Sequence, residues 1–251
     1  MGDNSNKGNF LNSTMSLGDH LEELRARLIL AIVGLLLGMV ISLVFGQHLI
    51  RIIEMPYNNL KDEYGLGNLM VLAPADAFAV YMKVSFVAGL ILSSPWFFYQ
   101  LWMFIAAGLY EHEKRYVRTA VPFLVVLFVG GTAFFIFGLA PLILTFFVKF
   151  SKFIGVESAW TLEGYISFMA NLTLVFGLAF QTPIIIFTLN KTGLVSLRLL
   201  YQSRKYVFLG VFIVAAIVTP GDAIPQIALA IPLYLLFEFG VLLSYFTRQK
   251  P

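Results

Sequence analysis

The sequence predicts an all-α membrane protein with six transmembrane helices and both termini on the cytoplasmic side. Three observations carry that expectation. Of 251 residues, 59% are apolar and only 12% charged, about half the charge of a soluble domain. The charges gather between six uncharged runs, at 28–45, 84–110, 119–148, 164–190, 206–221 and 223–237. Lys and Arg also divide unevenly between alternate loops. A hydrocarbon core about 30 Å thick needs roughly 20 residues of helix to cross it. Lipid offers no partner to backbone N–H and C=O groups, so such runs are helices that satisfy themselves.

Residues 1–15 are polar and Asn-rich, with no apolar stretch before a small-residue cleavage site. They read as a disordered tail rather than a signal peptide, leaving 16–248 as a single six-helix domain. Ser16 and Asp19 form a capping pair ahead of the first span, where acids suit the positive end of the helix dipole. Leu17, Leu21, Leu24 and Leu28 make one apolar stripe, with His20, Glu23 and Arg27 on the neighbouring polar face. Within the span, Gly34-x-x-x-Gly38 permits a close helix contact.

The loops near 47–77 and 149–163 are long and carry Tyr57, Tyr64 and Trp160. These aromatics suit the membrane interface, and the loops are expected to cap the outer face. Lys83, in the second span, either snorkels to the outer interface or pairs inside with Asp76. The third run, about 45 Å long as a helix, holds Pro122, Gly130-Gly131 and Pro141. It must tilt, bend or end outside the lipid.

The fifth and sixth uncharged runs are short, about 24 Å of helix each. A turn containing Pro220, Gly221, Asp222 and Pro225 joins them. Either the charged ends snorkel, or this hairpin falls short of a full crossing and thins the bilayer. Asp222 is placed to cap the sixth helix, with contact to partners as its second reading. Glu238 lies within reach of the cytoplasmic interface, with Arg248 further on.

Orientation follows from the basic residues. The side with both termini holds Lys7, Arg25, Arg27, Lys114, Arg115, Arg118, Lys191, Arg198, Arg204, Lys205, Arg248 and Lys250; the other holds only Arg51, Lys61, Lys149 and Lys152. The net charge of +3 is too dispersed to point to nucleic acid, and there are no cysteines. No phosphate-binding loop is present, and His20, His48 and His112 do not assemble a metal motif. A non-enzyme without cofactor or metal is therefore expected. A proton-coupled small-molecule transporter is the alternative, but it predicts two related halves and midplane charges. Neither is evident here.

Two patches carry something more specific. His20-Leu21-Glu22-Glu23-Leu24-Arg25 precedes the first span. Pro95-x-x-x-Tyr99-Gln100-x-Trp102-x-Phe104-Ile105, then Leu109-Tyr110-x-His112-Glu113-Lys114-Arg115, closes the second. With Phe78 and Lys83, the stretch from Gly177 to Pro183, Thr219-Pro220-x-Asp222, Gln226 and Leu236-Phe237-Glu238-x-Gly240, these segments resemble the TatC family. That family supplies the multispanning receptor of twin-arginine protein translocation, and the resemblance covers about 15–248.

The resemblance implies a concave bundle with a lipid-open face and a cytoplasmic site for Arg-Arg signal peptides. Carried over by motif, Glu23 and Glu113 are the expected arginine partners, since carboxylates pair guanidinium in planar, bidentate geometry. Glu22 and Glu111 add field, while Arg25 and Phe104 match other positions of the patch. It further implies single-span TatA/TatB-type partners, self-association in a larger complex and a drive from the proton gradient. The membrane would be the bacterial cytoplasmic one; the missing transit peptide argues against the thylakoid. Two positions depart from the family pattern. Gln181 stands where a carboxylate is frequent, so it cannot titrate and is left to hydrogen-bond a neighbouring helix or perturb the bilayer. Ala107 replaces a proline.

Overall fold

The computed structural model describes residues 17–107, 114–219 and 223–246, with side chains described for 22–104, 121–219 and 224–246. Among these residues nine α-helices build six candidate spans. They are α1 (Leu17–Val44), α2 (Gly46–Tyr64), α3 (Asp76–Ala107), α4 (Lys114–Ala133), α5 (Ala140–Phe153), α6 (Leu162–Ala179), α7 (Thr182–Lys191), α8 (Leu197–Val218) and α9 (Ala223–Phe246). Spans one, two, five and six are α1, α3, α8 and α9. The third is α4 joined to α5, and the fourth is α6 followed by α7. α1 packs on α3 at one end of the row and α8 on α9 at the other, joined through α4 and α6. Apolar side chains such as Leu36, Leu37 and Val40 of α1 and Ile217 of α8 face outward. That is where lipid, not water, is the solvent.

The long third span bends, as its length requires. Phe134–Leu139 forms a π-helical turn between α4 and α5, with the Ala140 N–H donating to Phe135 O. Pro141 explains the widening: it has no N–H for the carbonyl four residues back, and its ring would clash there. The fourth span breaks at Phe180–Gln181, immediately before Pro183 in the first turn of α7.

The first and second spans cross at close range. A Cβ on Gly38 would sit 2.6 Å from Gly89 O, and one on Gly89 would sit 2.7 Å from the Met39 backbone. Gly34 opens room for the Trp96 ring, whose Nε1 donates to Leu30 O at 2.9 Å. The small-residue spacing in the first span thus does allow close approach, and Gly89 and Trp96 are its partners.

Opposite the terminal side, the two long loops form a cap. α2 is an amphipathic helix that supplies Ile53, Tyr57 and Leu60 to the main core. Met70 and Thr161 bridge the two loops: the Met70 N–H donates to Trp160 O at 3.0 Å and the Leu162 N–H to Met70 O at 2.8 Å. The Tyr57 ring lies 5.5 Å from Trp160 and 5.4 Å from Tyr165. Tyr57 is only 2% exposed, so it is a core residue and not an interfacial anchor. The Tyr165 hydroxyl donates to Ile53 O at 2.7 Å, tying α6 to α2. Lys152 Nζ reaches Tyr64 O at 3.1 Å and lies over the Tyr64 ring.

Beside Tyr57 and Tyr165, burial raises the Glu54 carboxyl above the usual carboxylate range. A raised carboxyl resists ionisation in the folded state, so stability is lost as pH climbs from the unfolded value through the folded one. Glu54→Gln should therefore raise the melting temperature at pH 7 to 8 and leave it unchanged at pH 4. Thermal unfolding in detergent at the two pH values checks the sign.

The last hairpin corrects the estimate from uncharged runs. α8 has 22 residues and α9 has 24, both long enough to cross. Arg204 of α8 and Glu238 of α9 lie inside the helices and pair at 2.6 Å. Glu238 is thus bound to Arg204, and its second oxygen accepts from the Tyr234 hydroxyl at 2.8 Å; Arg248 lies outside the described residues. The wholly uncharged part of the hairpin remains short. From Tyr206 to Val218 the helix rises about 18 Å. Pro220 and Asp222 lie outside the described residues, as does the capping role expected of Asp222. So do the tail 1–15 and the Ser16 cap.

Candidate functional site

The site begins where α1 meets α3 on the terminal side. Glu23 and Arg27 are one turn apart on α1, and Arg27 Nη2 donates to Glu23 Oε1 at 3.2 Å. Arg27 Nη1 donates to Gln100 Oε1 of α3, also at 3.2 Å. Gln100 is buried, 2% exposed, so it fixes the guanidinium in place. Glu23 Oε2 has no hydrogen-bond partner among the described residues, and the side chain is partly exposed. Held this way, the carboxylate can accept from a second planar cation without breaking the first bond.

The polar face expected on α1 is real, but it points inward. Glu23 and Arg27 are half-buried against α3, while Leu24 and Leu28 are 38% and 56% exposed. In lipid the polar groups turn to each other and the leucines turn out. Phe104 stands one turn beyond Gln100 on the same face of α3 and is half-buried. Glu22 and Arg25 are exposed and are not drawn into the Glu23–Arg27–Gln100 group. Glu111 and Glu113 lie outside the described residues, so their approach to Glu23 rests on the motif. Gln100 lies within the motif that closes the second span, but its contact with Arg27, 73 residues away in sequence, has no local signal.

Two intramembrane polar groups find their partners on neighbouring helices. Lys83 Nζ donates to Ser167 Oγ of α6 at 2.6 Å. The Asp76 carboxylate is engaged elsewhere, accepting from the Ala73 N–H at 2.9 Å. Gln181 does hydrogen-bond a neighbouring helix: its Nε2 donates to Leu124 O of α4 at 3.0 Å and reaches Gly177 O at 3.5 Å. It is buried at the break of the fourth span, and its own N–H turns to Leu178 O. The side chain thus satisfies a carbonyl that the broken ladder releases, and exposure to the bilayer is not its role. Gln181 Oε1 is left without a donor.

Comparison with known proteins places this arrangement. The family model described as Sec-independent protein translocase protein (TatC) matches residues 19–232. A Sec-independent protein translocase protein TatC from Carboxydothermus hydrogenoformans is 32% identical, over 94% of this chain and 95% of its own. The protein of the same name from Aquifex aeolicus is 34% identical, over 94% and 97% respectively. A crystal structure described as the twin-arginine translocase receptor TatC superposes with a TM-score of 0.82 at 34% identity, covering 91% of this chain and all of that one. Matching in family model, full-length relatives and fold alike, this six-span membrane protein belongs to the TatC family of Sec-independent protein translocase components.

Proposed function

We propose that this chain is the signal-peptide receptor and assembly scaffold of a twin-arginine translocase. The observation that carries the proposal is Glu23, half-buried on the terminal side, with one oxygen bonded to the guanidinium of Arg27 and the other without a partner among the described residues. The site already holds one guanidinium through a single bond, and the carboxylate keeps acceptor capacity for a passenger arginine. Glu113 supplies the second carboxylate, with Glu22 and Glu111 adding negative field, and Phe104 and Arg25 flank the leader. Both termini face the cytoplasm of a bacterium, as the excess of Lys and Arg on that side supports. Single-span TatA/TatB-type subunits and further copies of the chain complete the complex. The chain itself is non-catalytic, and the proton gradient drives passage of folded cargo.

The test is binding of synthetic leaders to the purified full-length chain. A leader with Arg-Arg should bind at least about tenfold more tightly than one with Lys-Lys, because an ammonium cannot make the bidentate pair. Equal affinity for the two leaders overturns the proposal.

A further inference from the structure

On the cap-side half of the bundle, away from the signal-peptide site, α6 carries a line of polar residues on one face. Glu163, Ser167 and Asn171 follow at four-residue intervals, so they share that face of the helix. Glu163 and Asn171 are exposed and Ser167 is half-buried. Lys83 reaches this line from α3 through its 2.6 Å bond to Ser167 Oγ. The helices start at Asp76 and Leu162, which puts Lys83 about 10 Å and Asn171 about 13 Å along their spans. That depth is hydrocarbon unless something polar comes with them.

The inventory of donors and acceptors is lopsided. Lys83 brings three N–H donors and has a single neutral acceptor, Ser167 Oγ. No carboxylate lies within 4 Å of it among the described residues. The Asn171 side chain, one turn deeper, makes no hydrogen bond there. An ammonium and an open amide side by side in a membrane call for an anionic, oxygen-rich partner. Asp76 of α3 is engaged with the Ala73 N–H, and Glu163 of α6, one turn nearer the cap, is exposed and makes no ion pair with Lys83 among the described residues.

We infer that Lys83, Ser167 and Asn171 form a binding site for the phosphate of a phospholipid drawn down from the cap-side leaflet. The lipid phosphate accepts from Lys83 Nζ and from the Asn171 amide, while Ser167 steers the ammonium toward it. The headgroup then lies below its normal plane, and the leaflet is indented along α3 and α6. Because the phosphodiester is the recognised group, any phospholipid fits and a neutral diacylglycerol does not.

Native mass spectrometry of the full-length chain, released from detergent with dioleoyl phosphatidylglycerol or with dioleoylglycerol, tests this. The wild type and Lys83→Arg should retain one phosphatidylglycerol that dioleoylglycerol fails to replace. Lys83→Met should retain it about tenfold less, and Asn171→Leu should fall between, with monodisperse elution showing both are folded. Should Lys83→Met not fold, the Asn171→Leu loss and the phosphate preference of the wild type still decide. Retention of dioleoylglycerol as strongly as phosphatidylglycerol, or undiminished retention by Asn171→Leu, overturns the site.

Discussion

Glu23→Lys should abolish capture of an Arg-Arg leader while leaving the amount of protein in the membrane unchanged. The substitution removes the carboxylate and puts an ammonium beside Arg27, which stays fixed by Gln100. A charge-assisted hydrogen bond is worth about 1.5–3 kcal/mol, so losing a bidentate pair and gaining a repulsion costs at least about a hundredfold in affinity. Glu23 sits near the end of α1, beyond the glycine contact that docks the helix, so folding is not at stake. Glu113→Lys should act in the same direction, and Glu23→Gln, which keeps an acceptor but not the charge, should lose about tenfold. Arg27→Gln should do the opposite. With its resident guanidinium gone, Glu23 has both oxygens free, and the leader binds several-fold more tightly. Site-specific crosslinking of a labelled leader to each variant measures all four. Undiminished crosslinking to Glu23→Lys would remove Glu23 from the site, and weakened binding to Arg27→Gln would make Arg27 a positioning residue.

How much of this is legible in the sequence depends on the range of the interaction. The spans are, because charge is excluded from lipid wherever the partner helices lie. The gaps between charges therefore mark all six. The ends of the last two are not, since Arg204 and Glu238 interrupt the uncharged runs yet sit inside helices and neutralise each other across 34 residues. Read alone, each looks like a loop charge. Pro141 and Pro183 foretell a bend and a break, but the extra residue of the π-turn and the side-chain repair by Gln181 depend on what α4 and α6 place opposite. At the candidate site, Glu23 and Arg27 are visible as an i,i+4 pair. Gln100, which holds Arg27, is not. Lys83 was recognisable as an anomaly; that its partner is Ser167 rather than Asp76 is set by the α3–α6 packing.

Gly89→Leu should be the most damaging single change in the bundle, and its effect should reach the leader site. A Cβ at Gly89 meets the Met39 N and Cα at 2.7 Å, and one at Gly38 meets Gly89 O at 2.6 Å. These are backbone atoms, so no rotamer relieves the clash; the two helices must separate. Overpacking of this kind costs about 1–3 kcal/mol where neighbours can yield, and more where they cannot. α1 has few contacts outside α3, so separation leaves it without a dock. The Trp96–Leu30 bond and the Arg27–Gln100 bond both span the same seam. Opening the seam therefore detaches Arg27 from Gln100 and lets Glu23 drift from the face of Phe104. Gly89→Leu should lower the folded amount several-fold, and what remains should bind an Arg-Arg leader poorly. Gly130→Leu is the control: a Cβ there meets nothing within 4 Å, and that position faces outward. Quantifying detergent-extracted monodisperse protein and leader affinity for both variants separates the two cases. Equal yields would mean that the close crossing does not set the position of α1.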